Sequence, residues 1–189
     1  MNRRKLFAVL VVYGLPGAAL AAPAPAWTVD KAASSVRFTS SMGGESFSGA
    51  FRRWDADIRF DPANLGGSSV AASIDATSAV TGSSDRDQAL PTSDFFSATK
   101  FPRAIFTAHA FTALGPGRYQ AVGQLTLRGV SKPLTLPFTL VITGSQAKMN
   151  ASVALNRLAF GVGQGQWSST EAIPNPVTVT IALTAKRAN

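Results

Sequence analysis

Leu134-Thr135-Leu136-Pro137-Phe138-Thr139-Leu140-Val141-Ile142 is the stretch on which the reading of the fold turns. Leu134, Leu136, Phe138, Leu140 and Ile142 are apolar at a spacing of two. A helix gathers residues three and four apart onto one face, whereas a strand gathers every second residue, so this run is a strand with one buried face. The same grammar extends outward in both directions. On the C-terminal side it recurs in Met149, Ala151, Val153 and Leu155, and again in Val177, Val179, Ile181 and Leu183. Towards the N-terminus it recurs in Tyr119, Ala121, Gly123, Leu125 and Leu127, in Val70, Ala72 and Ile74, and in Ile58 and Phe60. Phe47, Gly49 and Phe51 alternate, as do Val36, Phe38 and Ser40, with Arg37 and Thr39 turned away.

This gives about eight strands and no long apolar helical stripe. Asp61-Pro62 with Gly66-Gly67, Gly115-Pro116-Gly117, the segment 129–133 and Thr143-Gly144-Ser145 fall between strands, where turns belong. Short turns between successive strands favour antiparallel neighbours. The pattern fits a sandwich or a closed barrel; a barrel removes the exposed edges, and eight strands can leave room for one ligand. One stretch departs from strand grammar. Ser84-Asp85-Arg86-Asp87 has the spacing of a helix N-cap with an acidic residue three positions on, Gln88 to Leu90 continue a short helix, and Pro91 stops it. With Ser93-Asp94-Phe95-Phe96, this segment reads as a plug over one barrel end, or as a ligand gate.

The N-terminus reads as an export signal. Arg3, Arg4 and Lys5 precede an apolar run from Leu6 to Leu15, then Pro16-Gly17, with Ala19-Leu20-Ala21 as an A-x-A cleavage site. The run is shorter than the roughly 20 residues a membrane-spanning helix needs. The expectation is a signal peptide over 1–21, cleavage after Ala21 or Ala22, and one mature domain over 22–189 in the periplasm. Of the 18 Lys and Arg and 10 Asp and Glu, 15 basic residues remain against 10 acidic without Arg3, Arg4 and Lys5, a net of +5. The remaining cations are scattered, unlike the patch or stripe of a nucleic-acid binder. With no cysteine, there is no disulfide framework, zinc–thiolate site or iron–sulfur site, so the domain must rest on its own core.

The chain resembles the YceI-like family of polyisoprenoid-binding, lipocalin-like proteins. Several elements, in order, carry the resemblance: Trp27-Thr28-Val29-Asp30, Ser34-Ser35-Val36-Arg37-Phe38, Gly49-Ala50-Phe51 and Ile58-Arg59-Phe60-Asp61-Pro62. Ile74-Asp75, Ser78, Thr81, Arg86-Asp87, Leu90, Ser93-Asp94-Phe95-Phe96, Phe101-Pro102 and Ile105-Phe106 follow. The most distinctive run is Leu125-Thr126-Leu127-Arg128-Gly129-Val130-Ser131-Lys132-Pro133, with Asn156-Arg157 and Phe160-Gly161 after it. The resemblance implies an all-β, eight-stranded antiparallel lipocalin-like barrel with a short helical plug, and a long isoprenoid-type amphiphile held in an elongated apolar cavity. The segment 161–177 looks like a branch found beside cytochrome b-type membrane proteins, so such a partner is an expectation; a homodimer is a separate one. Ser34 and the stretch 40–44 stand where many members carry a histidine, so no role of that histidine carries over.

The cavity lining is expected from Phe38, Phe51, Phe60, Ile74, Phe95, Phe96, Phe106, Leu125, Leu127, Leu136, Phe138, Val153, Phe160 and Trp167. Arg86, Arg128 or Lys132 would meet an anionic head group at a barrel mouth. No cofactor is expected beyond a bound isoprenoid or quinone-like lipid, no metal, and no catalytic residue. His109, the one histidine, shares parity with Ile105 and lies opposite Phe106, Ala108 and Ala110. No nucleophile elbow, zinc-protease helix or phosphate-cradling loop accompanies it. Asp85 and Asp87, at i and i+2 on a helix, point apart and fit capping better than acid chemistry. A hydrolytic or isomerising enzyme is therefore the weakest of three readings, behind a lipid carrier, storage protein or scavenger and an interaction module for a membrane redox partner.

Overall fold

A computed structural model describes residues 22–188. The expected signal peptide, 1–21, lies outside the described residues. Eleven strand segments form one sheet: β1 (Ala26–Val29), β2 (Ser35–Met42), β3 (Glu45–Phe51), β4 (Trp54–Arg59), β5 (Ser69–Asp75), β6 (Ala79–Val80), β7 (Arg103–Gly115), β8 (Arg118–Leu127), β9 (Val130–Thr143), β10 (Gln146–Asn156) and β11 (Pro176–Arg187). These resolve into eight antiparallel staves. β1 and β2 are two halves of one stave, since both pair with β11. β3 and β4 form the next, pairing with β2 and β1 respectively. β5 and β6 form the third, against β4 and β3. β7 to β11 follow as unbroken staves, each beside its sequence neighbour, and β11 closes on the first. The result is a closed eight-stranded up-and-down barrel. The sandwich that the periodicity also allowed is not formed, because closure pairs every stave on both sides.

The alternation read from the sequence sets which side chains face inward. Along β9, even-numbered positions from Leu134 to Ile142 are shielded and odd-numbered ones exposed, and β10 and β11 follow suit. One element breaks the pattern. β7 carries a bulge between Ala108 and Ala110, so His109 has no cross-strand partner on β8. The bulge reverses parity: Ala108 is buried, His109 and Ala110 are both exposed, and Phe111 turns inward. The sequence-based expectation that Ala110 shares a face with Phe106 and Ala108 is thereby corrected, because one extra residue in a bulge shifts everything after it.

The barrel ends are closed by different means. At one end, Phe60 sits among Phe111, Tyr119 and Phe138 in edge-on contacts with ring centroids 5.3–5.7 Å apart. Trp27 donates its indole N–H to the Phe60 carbonyl at 2.9 Å beside this cluster. At the other end lie α1 (Ser84–Ala89) with the turns after it, and the segment from Arg157 to Asn175. The N-cap of α1 is Ser83, one residue earlier than the sequence indicated, and no side chain caps it. Asp87 does not close a capping box. It reaches back to accept from the backbone N–H and hydroxyl of Thr81, at 2.6 and 2.7 Å.

Candidate functional site: an apolar cavity inside the barrel

Eight staves enclose more space than the inward side chains fill. A cavity of about 300 Å³ runs through the interior, at the lower end of the range typical of small-molecule sites. Phe38, Phe51, Phe60, Ile74, Phe95, Phe96, Phe106, Leu125, Leu127, Leu136, Phe138, Val153 and Phe160 line it. Small residues at inward positions keep the space open: Ala72, Ala104, Ala121 and Ala147 also lie on the wall. Gly49 has a packing role there. It faces Phe38 across β2 and β3, and a Cβ on Gly49 would run into the Phe38 ring, which lies over the glycine. Phe38 then packs on Phe51, and Phe51 on Phe96 of the plug, with ring centroids 5.4 and 5.9 Å apart.

Trp167, expected on the wall, is not part of it. It packs on Phe95 at 5.8 Å between centroids, so it backs the plug from outside. The proposed head-group cations are also placed. Arg86 lies over the Phe47 ring, 4.7 Å from its centroid, and donates to the Thr81 hydroxyl at 3.3 Å. Arg128, in the left-handed region at φ 51°, donates to the Ser93 carbonyl at 2.6 Å and so ties the β8–β9 turn to the plug. Lys132 stands half-buried near the start of β9. None of the three lines the cavity.

Two other arginines reach the cavity wall, Arg59 on β4 and the buried Arg157, neither included in the lining expected from sequence. Arg157 is the one committed to a cage. Its exposure is 4%, and no carboxylate pairs with it among the described residues. Its guanidinium donates to four backbone carbonyls: Pro174 at 3.1 Å, Val162 at 3.0 Å, Ser169 at 3.1 Å and Ile173 at 2.7 Å. Burial disfavours the charged form and pushes its pKa down. The carbonyl cage compensates, and it draws the segment after β10 into a fixed cap. Gly163 is required there, at φ 88°, because a Cβ would collide with the guanidinium. The cap and plug are joined by the Asp94 carbonyl, which accepts from the backbone N–H groups of Gly163 and Gln164, both at 2.8 Å. The sequence signal for this arrangement was Asn156-Arg157 followed by a glycine-rich stretch, which does not by itself announce a buried cation.

The barrel interior is lined mainly by apolar side chains, and the buried Arg157 guanidinium is committed to backbone carbonyls. His109 stands exposed on the bulge, on the face opposite the cavity-lining residues of β7. Comparison with known proteins shows the family. The family model for the YceI-like domain matches residues 27–185. The chain belongs to the YceI-like family. A UPF0312 protein of Vibrio parahaemolyticus is 32% identical over 148 residues, covering 76% of this chain and 77% of its own. Among solved structures, BcnA of Burkholderia cenocepacia is similar with a TM-score of 0.81 and 30% identity, over 84% of this chain and 99% of its own. A polyisoprenoid binding domain from Saccharophagus degradans shares the fold at TM-score 0.67 and 15% identity, over 87% of this chain and 99% of its own.

Proposed function

We propose that this YceI-like protein is exported to the periplasm and holds one long apolar amphiphile of isoprenoid type inside its barrel, as a carrier, store or scavenger. The observation that carries the reading is the unfilled apolar cavity in a closed barrel, walled by inward phenylalanines and kept open by alanines. Each buried methylene contributes about 0.8 kcal/mol, so a chain of ten supplies about 8 kcal/mol before ordering costs. Selectivity then falls on length and shape, since the wall offers few polar anchors. The shared fold with a polyisoprenoid binding domain supports the ligand class, and the N-terminal signal pattern supports export. A cytochrome b-type membrane protein, which the family resemblance adds, and a second copy of the chain are further partners to test, read directly by co-purification and sedimentation.

Titration with isoprenols of increasing length tests the reading. Affinity is expected to rise with each isoprene unit until the cavity is full. Ala121→Phe, which fills space at a wall position only 2% exposed, is expected to weaken binding of the longest chain by about tenfold or more. Affinity independent of chain length, and unchanged by Ala121→Phe in a folded protein, would contradict it.

A further inference from the structure

The ladder is interrupted in more than one place: β9 and β10 pair only from Gln146↔Thr143 to Ala151↔Phe138, and the break that concerns the cavity is a seam between the first two staves. β4 pairs with β1 only at Ala26↔Arg59 and Trp27↔Ile58, and pairing of the same two staves resumes at Phe51↔Val36 between β3 and β2. Between these points, residues 28–35 face residues 52–57 without ladder hydrogen bonds. The register against β11 shows why. β1 matches Val29 with Ala185, whereas β2 matches Ser35 with Ala182, so residues 30–34 span only two residues of the partner strand. The surplus loops outward, with Asp30 accepting from the N–H groups of Ala32 and Ala33.

One side chain crosses this gap. Lys31 Nζ donates to the Trp54 carbonyl and to Asp55 Oδ1, both at 2.7 Å, and lies 4.0 Å from the Trp54 ring centroid. Among the described residues, no other polar contact joins the two sides. The cavity reaches the far side of the seam, where Trp54, Asp55 and Ala56 line it. The three lining residues at outward-facing strand positions, Asp55, Arg59 and Ser69, all belong to β4 and β5. The barrel ends offer no comparable path. One is filled by the Phe60 cluster, and the other is held by the Arg157 cage and the Asp94 carbonyl.

We propose that ligand enters and leaves through this lateral seam, with Lys31 as its latch and Trp54 as the stopper behind it. This rests on the reading of the cavity as a lipid site and adds where it opens. An exposed ion pair holds weakly, as a latch that must release requires. Freeing Lys31 from β4 removes every polar contact across the gap, whereas opening the cap breaks a set of buried ones. A chain can then slide in sideways, methylene by methylene, without unpairing any ladder.

The absence of cysteine lets two introduced thiols be cross-linked without ambiguity. One variant carries Lys31→Cys with Asp55→Cys across the seam, and the other Asp94→Cys with Gln164→Cys across cap and plug. Each is closed with a short bis-maleimide, and uptake of dansyl-labelled geranylgeraniol is followed by stopped-flow fluorescence. The seam cross-link is expected to slow uptake by about tenfold or more, with the cap cross-link leaving the rate unchanged. Lys31→Met is expected to speed uptake and release alike, with affinity unchanged. Slowing by the cap cross-link that equals or exceeds slowing by the seam cross-link overturns the seam as the route. If the uncross-linked protein takes up no probe at all, the lipid reading fails first, and the seam falls with it.

Discussion

Arg157 concentrates the most consequence in one side chain. Four carbonyls from the segment 162–174 point at a single buried guanidinium. A lysine keeps the charge but lacks the planar fork that serves several acceptors at once. Arg157→Lys is therefore expected to cost about 2–4 kcal/mol in urea unfolding and to expose the cap to proteolysis. A variant as stable and protease-resistant as the parent would show that the cage does not hold the cap. Three aspartates set the acid response. The Lys31 hydrogen bond lowers the pKa of Asp55, the Thr77 hydroxyl that of Asp75, with Arg53 adding to it, and the Thr81 hydroxyl that of Asp87. A carboxylate whose folded pKa lies below its unfolded value of 3.8 adds stability above that value. That stability is lost as pH falls through the lower, folded value. Asp87→Asn is accordingly expected to lower Tm at pH 7 and to flatten the fall in Tm on acidification below about pH 4. An unchanged slope in thermal scans across that range would remove Asp87 from the acid response.

Strand elements were the part most legible in the sequence, because one buried face imposes a period of two that turns cannot imitate. The run from Leu134 to Ile142 sits in β9 with its parity intact. Two features were not legible. The bulge at His109 is one unpaired residue, and its local sequence reads as continuous alternation. The split of the first stave into β1 and β2 depends on the register against β11, which no local pattern encodes. The bulge carries its own prediction. Removing His109 would bring Ala110 directly after Ala108 opposite Val122, a regular ladder with Ala110 still outward and Phe111 still inward. The His109 deletion is expected to fold with native-like circular dichroism and lose no more than about 1 kcal/mol. A deletion of Thr107 reverses the facing of residues on one side of the cut and is expected to be far more disruptive. If the two deletions were equally damaging by chemical denaturation, the bulge would be more than an inserted residue.

At the scale of the molecule, closure follows from sequence order: each stave lies beside its neighbour, and the last finds the first. What periodicity left open was whether the phenylalanines fill the interior or wall a space, because that depends on barrel width rather than on any one strand. The lining residues named from sequence came together on the wall except Trp167, which packs behind Phe95. Inward parity identified the others, whereas Trp167 belongs to a loop, where parity gives no direction. The cage of Arg157 was missed for the same reason. A ligand that binds only the folded barrel adds about 2.7 kcal/mol of stability at a hundredfold excess over Kd, so occupancy leaves its mark on the whole fold. Native mass spectrometry of the purified protein, followed by denaturation and organic extraction, reads that occupancy directly. The expected result is a mass increment of one long-chain isoprenoid-type lipid per barrel, released on unfolding and restored when the lipid is added back. A barrel that carries no such increment, and acquires none from any long-chain lipid offered, would contradict a lipid-holding function.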